Sequence, residues 1–427
     1  MTQRTMETTT KSGARRKARF ATVAGILVLA GIGTGGPATP AWAKDQPATP
    51  VKDAGMAFEG ARVMRDAERV AALEEAERLA TQSARGAKSK DDEAAARYLS
   101  AEIMFDRGEN ARAAAEFRGV TDKLGKSPFA DDAMFQSILA TEATGADRDA
   151  MNAWNDWVNR FPESPLQGEA KLAQAWNCIR RNEAVAAQKH LTALLAGRPW
   201  YANDARATLA RATVLYLTQK PADALALIGA KPGGGAAAAY LRGLCHRSLG
   251  AVLQSAASFQ EVSDRYPNSP LRDVALLGKA DAFLRAKDYR SAAEEFTRAA
   301  TKAKDPAVVG EAEIRAAGAT LLAGHADSAL ALFHGIVERR PGTDQAARAQ
   351  FLIGDVLATR GQYQEAILEL NRVLTTYFQH SVAASAQYRV ARCLDALGRK
   401  ADATGSYQAV VSGYPLEPEA PAAAYLA

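Results

Sequence analysis

Apolar positions recur along most of this chain at helical spacing, and that spacing itself repeats. The pattern is plainest over residues 346–378. Phe351, Gly354 and Leu357 fall at i, i+3 and i+6, one stripe of a 3.6-residue helix. Gly361 then ends the helix, because a residue without Cβ adopts a left-handed turn cheaply. Tyr363, Ala366, Ile367, Leu370 and Val373 form the stripe of a second helix. Small Gly354 and Ala366 stand where the two helices approach closely.

Phe378 marks the end of this unit. Corresponding marks fall at 125, 162, 199, 236, 267, 304, 341, 378 and 415, every step 37 residues except one of 31 from Ala236 to Pro267. Twelve residues before each mark the side chain is small, as at Ala113, Ala150, Ser255 and Ala403. Eight before, it is large, as at Phe117, Trp154, Phe259 and Tyr407. Twenty-four before, it is small again in every unit but one, where Ile138 stands. The short step lies beside 231–235, KPGGG, and predicts a helix end and loop trimmed there. The reading is an all-α solenoid of about nine antiparallel helix pairs over residues 93–415, each pair touching only its neighbours.

Four segments flank or precede the repeats. Lys11, Arg15, Arg16, Lys17 and Arg19 form a basic region ahead of an apolar run of 14 residues, Phe20–Gly33, and Ala41-Trp42-Ala43 offers a cleavage site. The run is short of the ~20 residues a spanning helix needs, so residues 1–43 read as a cleaved export signal, cut after Ala43. No Cys lies beside that site to take a lipid. Residues 44–54 read as a polar tether. Residues 55–92 read as an N-terminal helical segment, helical over 55–83 with Phe58, Val63, Val70, Leu73 and Leu79 on an apolar face, either as a single helix, the favoured reading, or as a degenerate first pair. That helix caps the stack, pairs with a partner helix, or assembles a homo-oligomer. Residues 416–427 begin a tenth first helix, too short to stand alone, and read as a cap.

Charge narrows the partners. The whole chain has 53 basic and 48 acidic residues, but residues 1–43 hold six of the former and one of the latter, leaving 47 of each. No basic stripe for nucleic acid is visible, and no later segment is apolar enough to cross a membrane. Cys178, Cys245 and Cys393 lie in the first helices of separate units. Helices pack ~8–10 Å apart and a disulfide needs Cα atoms within ~7 Å, so these read as small buried hydrophobes.

On these residues the unit resembles a tetratricopeptide repeat. Gly354, Gly361, Tyr363, Ala366, Leu370 and Val373 fall on that family's glycine, turn, aromatic, alanine and later apolar sites. The resemblance implies a right-handed superhelix and a protein-binding role. The 37-residue period and the Tyr-Pro-x-Ser ending of 266–269 are similar to the longer repeats of two envelope proteins, the periplasmic Tol-Pal coordinator and the tetratricopeptide lipoprotein of β-barrel assembly. That implies a periplasmic or otherwise exported scaffold binding envelope proteins or peptide segments.

No catalytic constellation emerges, so no enzyme activity and no cofactor are expected. His190, His246, His325, His334 and His380 lack metal-ligand spacing. Cys245 and His246 are adjacent on a helix and diverge. Gly233-Gly234-Gly235 lacks the Gly-Lys-Ser/Thr of a phosphate loop. An alternative is a cell-wall-associated protein related to the helical bodies of lytic transglycosylases, without their catalytic domain.

The candidate binding groove follows the first helices. The stripe 27 before each mark, Tyr98 to Tyr388, is apolar throughout and reads as packing. The more variable residues 23 before it read as the groove: Glu102, Leu139, Trp176, Asp281, Asp355 and Arg392, with Arg180 and Arg285 one turn further on. Trp176 heads this set, because aromatics dominate binding energy. Trp154 and Trp157 fall at packing positions.

Overall fold

The structure, a computed structural model, describes residues 49–64, 66–229 and 234–427. Residues 1–43, expected to be an export signal, lie outside the described residues. Every regular element among them is helical, and they fall into two compact units divided after Ala230.

The first unit contains α1 (Thr49–Val63), α2 (Asp66–Arg85), α3 (Lys90–Asp106), α4 (Asn110–Lys123), α5 (Ala130–Ala143), α6 (Asp147–Arg160), α7 (Gln167–Arg180), α8 (Ala184–Gly197), α9 (Ala205–Leu217) and α10 (Pro221–Ile228). The second contains α11 (Gly235–Ser248), α12 (Val252–Arg265), α13 (Leu271–Arg285), α14 (Tyr289–Lys302), α15 (Pro306–Leu322), α16 (Ala326–Arg339), α17 (Asp344–Thr359), α18 (Tyr363–Thr376), α19 (Ala383–Ala396), α20 (Lys400–Gly413) and α21 (Ala420–Leu426). Within each unit every helix packs on the next in chain order. The nine predicted pairs run from α3/α4 to α19/α20.

One backbone position repeats in all nine pairs. Seventeen residues before each mark the chain turns with positive φ: Gly108, Gly145, Gly250, Gly324, Gly361 and Gly398, and also Asn182, Gln219 and Lys287. Six of the nine are glycine, the residue that takes this conformation without strain. Each turn reverses the chain within a few residues and lays the second helix against the first.

The small–large scheme has a steric cause. A Cβ on Gly354 would stand 2.5 Å from Leu370 Cγ, so first and second helix meet there with no room for a methyl group. The Phe259 ring lies against both Gly243 and Gly278, where added Cβ atoms would come within 2.8 Å of it. In several repeats the residue 27 before the mark meets the large residue of its own second helix. Edge-on ring pairs form at Tyr98–Phe117 (5.1 Å), Phe135–Trp154 (4.8 Å) and Tyr240–Phe259 (5.3 Å). Trp154 and Trp157 are fully buried, as their positions predict.

The N-terminal segment differs from the sequence expectation. Helix α1 begins at Thr49, inside the expected tether, with Pro50 in the first turn where a missing N–H breaks no helical bond. Residues 55–83 are not one helix: the chain breaks after Val63, and α2 folds back along α1. A single helix of 29 residues would run about 43 Å, well past the end of α3. The reversal lets Phe58 on α1 and Leu73 on α2 enter the same core as Tyr98, Leu99 and Phe117. Val63 and Val70, expected on the buried face, are exposed. Arg69 Nη2 donates to Asp106 Oδ2 at 2.5 Å, and Arg107 pairs with Glu77, fixing α2 to α3.

The short step in the period is visible as α10, eight residues long where the other second helices have 14. At the far end, α21 buries Ala420 and Ala423 against the last pair and leaves Tyr425 exposed.

Candidate functional site: the first-helix face

The residues 23 before each mark do not share one environment. Leu139, Trp176, Thr213 and Leu244 are buried, with Trp176 only 3% exposed. Asp355 is buried too. Successive first helices touch one another along seams in both units, and these side chains are covered by the surrounding packing. The expectation that Leu139 and Trp176 present themselves in an open groove is therefore corrected. Of the candidate set, Arg285 and Arg392 are exposed, and Glu102, Arg180 and Asp281 are half-buried.

What the seams carry instead is ion pairs between neighbouring repeats. In the second unit, Asp281 on α13 accepts from Arg315 on α15 at 2.8 Å and lies 3.6 Å from Arg247 on α11. Arg315 also donates to Glu311 at 2.6 Å, and Glu311 accepts from Arg348 on α17 at 2.8 Å. Asp355 pairs with Arg389 on α19. In the first unit, Glu169 on α7 takes both Nη1 and Nη2 of Arg206 on α9, at 2.8 and 2.7 Å, and accepts from Tyr201. Burial pushes the Glu311 carboxyl up, but Arg315 and Arg348 overcome it and hold the group below its ordinary value. Sequence reading passed over Glu142, Glu169, Arg206, Arg247, Glu311, Arg315, Arg348 and Arg389. The available signal was opposite charge one period apart, as at Glu169/Arg206 and Glu311/Arg348, 37 residues each.

Two carboxyls on this face behave unlike surface acids. Glu102 on α3 is pushed up to about 8. Burial is the main cause; Arg62 pulls the other way, and like-charge repulsion from Glu59 on α1 and Asp132 on α5 works against that pull. Glu142 on α5 is raised by burial, against Arg180, Asn177 and Trp154. Arg180 itself is part of this packed cluster: its Nε donates to Asp147 Oδ1 at 2.8 Å and its Nη2 lies 2.5 Å from Glu142 Oε1.

The nucleophiles are shielded. Cys178, Cys245 and Cys393 are buried and unpaired with one another, and burial pushes the Cys245 thiol up to about 12. His190 and His246 are lowered by burial. Among the described residues no three His, Cys, Asp or Glu side chains gather as metal ligands, and no helix is long and apolar enough to cross a membrane. Exposed Arg392 is held by a hydrogen bond with the Tyr388 phenol, beside the Tyr407 ring.

Known proteins resemble the second unit most clearly. Residues 234–399 match the family described as tetratricopeptide repeat-like domain, and residues 385–416 match the tetratricopeptide repeat. Among solved structures, a tetratricopeptide repeat protein from Parabacteroides merdae ATCC 43184 aligns at 12% identity, over 69% of this chain and 98% of that one, with a TM-score of 0.40. No functionally curated protein matches the chain.

Proposed function

We propose that this chain, a tetratricopeptide-repeat protein, is a non-catalytic scaffold that binds a polypeptide segment of another exported protein. The observation that carries the reading is the match of residues 234–416 to a repeat family whose helix pairs serve as protein-binding surfaces. The basic region, the apolar run and Ala41-Trp42-Ala43 support export, with the mature chain beginning at Lys44. Exposed Arg285 and Arg392 on first helices of the second unit are the proposed contacts.

The test is capture from envelope extract by the purified full chain and by a double variant, Arg285→Glu with Arg392→Glu. Retention of a defined protein, weakened about tenfold (~1.4 kcal/mol) in the variant at unchanged helicity, supports both the role and the face. Retention equal in both forms removes these arginines. No retention above a control resin removes the scaffold reading. N-terminal sequencing of the protein from its native host tests export, and a chain still beginning at Met1 would refute cleavage. Exposed Met56, Val63 and Val70 on the first helix pair leave self-association through that pair as a further proposal, read by light scattering.

A further inference from the structure

The buried cluster between α5, α6 and α7 has an uneven pattern of hydrogen bonds. Glu142 Oε1 accepts from Trp154 Nε1 at 3.0 Å and from Asn177 Nδ2 at 2.9 Å, with Arg180 Nη2 at 2.5 Å. Its other oxygen, Oε2, is buried and has no partner. Asn177 is the mirror case. Nδ2 donates to Glu142 Oε1 and to Asp147 O, both at 2.9 Å, while Oδ1 is buried without a donor. Both neighbours of Nδ2 are pure acceptors, so the amide cannot be turned round. The cluster therefore holds two buried acceptors without a donor, on two groups that already share one hydrogen bond, while Arg180 Nη2, a buried donor without a hydrogen-bond partner, lies against Oε1. Leaving such atoms unsatisfied forfeits the hydrogen bonds they would make to water in the unfolded chain.

We propose that Glu142 is a neutral carboxylic acid whose proton sits on Oε2 and is donated to Asn177 Oδ1, closing a carboxyl–carboxamide ring that joins α5 to α7. One proton satisfies both orphaned atoms. It also explains why every donor converges on Oε1: that oxygen is the carbonyl of the acid, and Oε2 is its hydroxyl. The charges balance as well. Arg180 donates to Asp147, whose side chain reaches solvent, so one cation already has one anion. A second carboxylate at Glu142, with 5% of its side chain exposed, would make the single Arg180 guanidinium serve two anions, one of them buried. The groups facing Glu142 are Arg180, Asn177 and Trp154, and of these only Arg180 favours ionisation by charge. The seam is thus a proton-dependent joint. On ionisation the proton passes to water, Oε2 and Oδ1 face each other as two acceptors, and α5 and α7 lose their lock. The sign is that of a raised carboxyl: the stabilisation is complete in acid and is lost as pH rises through the folded-state value. This reasoning is independent of the scaffold reading.

The experiment is a carbon-13 titration of the full chain labelled at glutamate Cδ. Glu142→Gln identifies the resonance by its absence, and Glu142→Ala identifies it equally if the glutamine variant does not fold. The expected result is a Glu142 resonance that keeps the shift of a protonated carboxyl at a pH where exposed glutamates are ionised. Glutamine supplies an N–H where the acid has its O–H, so Glu142→Gln is also expected to unfold no more easily than the wild type in acid and less easily once the wild-type carboxyl ionises. A Glu142 resonance that titrates together with the exposed glutamates overturns the proposal. So does a glutamine variant that is less stable than the wild type by the same margin at every pH.

Discussion

Replacing Glu102 by Gln should stabilise the protein, and only above the ordinary carboxyl range. In the folded chain burial and the neighbouring Glu59 and Asp132 hold Glu102 near 8, against 4.5 for an unperturbed glutamate. At 1.36 kcal/mol per pH unit that gap is worth at most ~5 kcal/mol. The side chain is half-buried rather than sealed, so solvent takes part of it, and roughly 2–5 kcal/mol is the expected range. The sign follows from linkage. Below about pH 4.5 the group is protonated in folded and unfolded chains alike, and glutamine changes nothing electrostatic. From there to about pH 8 the unfolded chain ionises and the folded chain resists, so the wild type loses stability steadily. Glutamine has no proton to lose and escapes the loss. Urea unfolding followed by circular dichroism, run on both proteins near pH 4, 6 and 8.5, measures the difference directly. The midpoints should coincide in acid and separate progressively, with the variant higher. Coincident midpoints near pH 8.5, or an equal separation at all three, would refute the argument.

Two further expectations follow from packing. Gly354→Ala places a methyl group 2.5 Å from Leu370 Cγ and should destabilise the second unit by about 1–3 kcal/mol, read as a lowered thermal midpoint; an unchanged midpoint would mean that the helices separate there without cost. Cys245, buried and pushed up to about 12, should react with a thiol reagent only through unfolding, so that its rate rises in parallel with urea-induced opening; rapid reaction in the native protein would contradict that.

The fold was legible because the repeat is enforced by sterics at spaced positions. Gly354 with Leu370, and the ring pairs headed by Tyr98 and Tyr240, leave a mark in the sequence that nine copies make plain. The turn was less legible. Asn182, Gln219 and Lys287 occupy the same left-handed position as six glycines, and composition at one site gives no hint of that conformation without the register. The first helix pair was left open between one helix and two because its break after Val63 carries no glycine or proline; the fold-back shows only in the core that Phe58 and Leu73 share. The groove was misread for a related reason. Variability at the positions of Leu139 and Trp176 suggested surface, whereas both are buried. Whether a side chain there is covered depends on the spacing between repeats, which a pattern within one repeat does not encode.

Phe259 has a reach beyond its own helix pair. Its ring fills room left by Gly243 in its own repeat and by Gly278 in the next. A smaller residue at 259 would leave two hollows at once, and a methyl group at either glycine would push the ring into the other. Drift at this joint is consequently locked: none of the three positions can change alone, and related chains should vary there in concert or stay as they are.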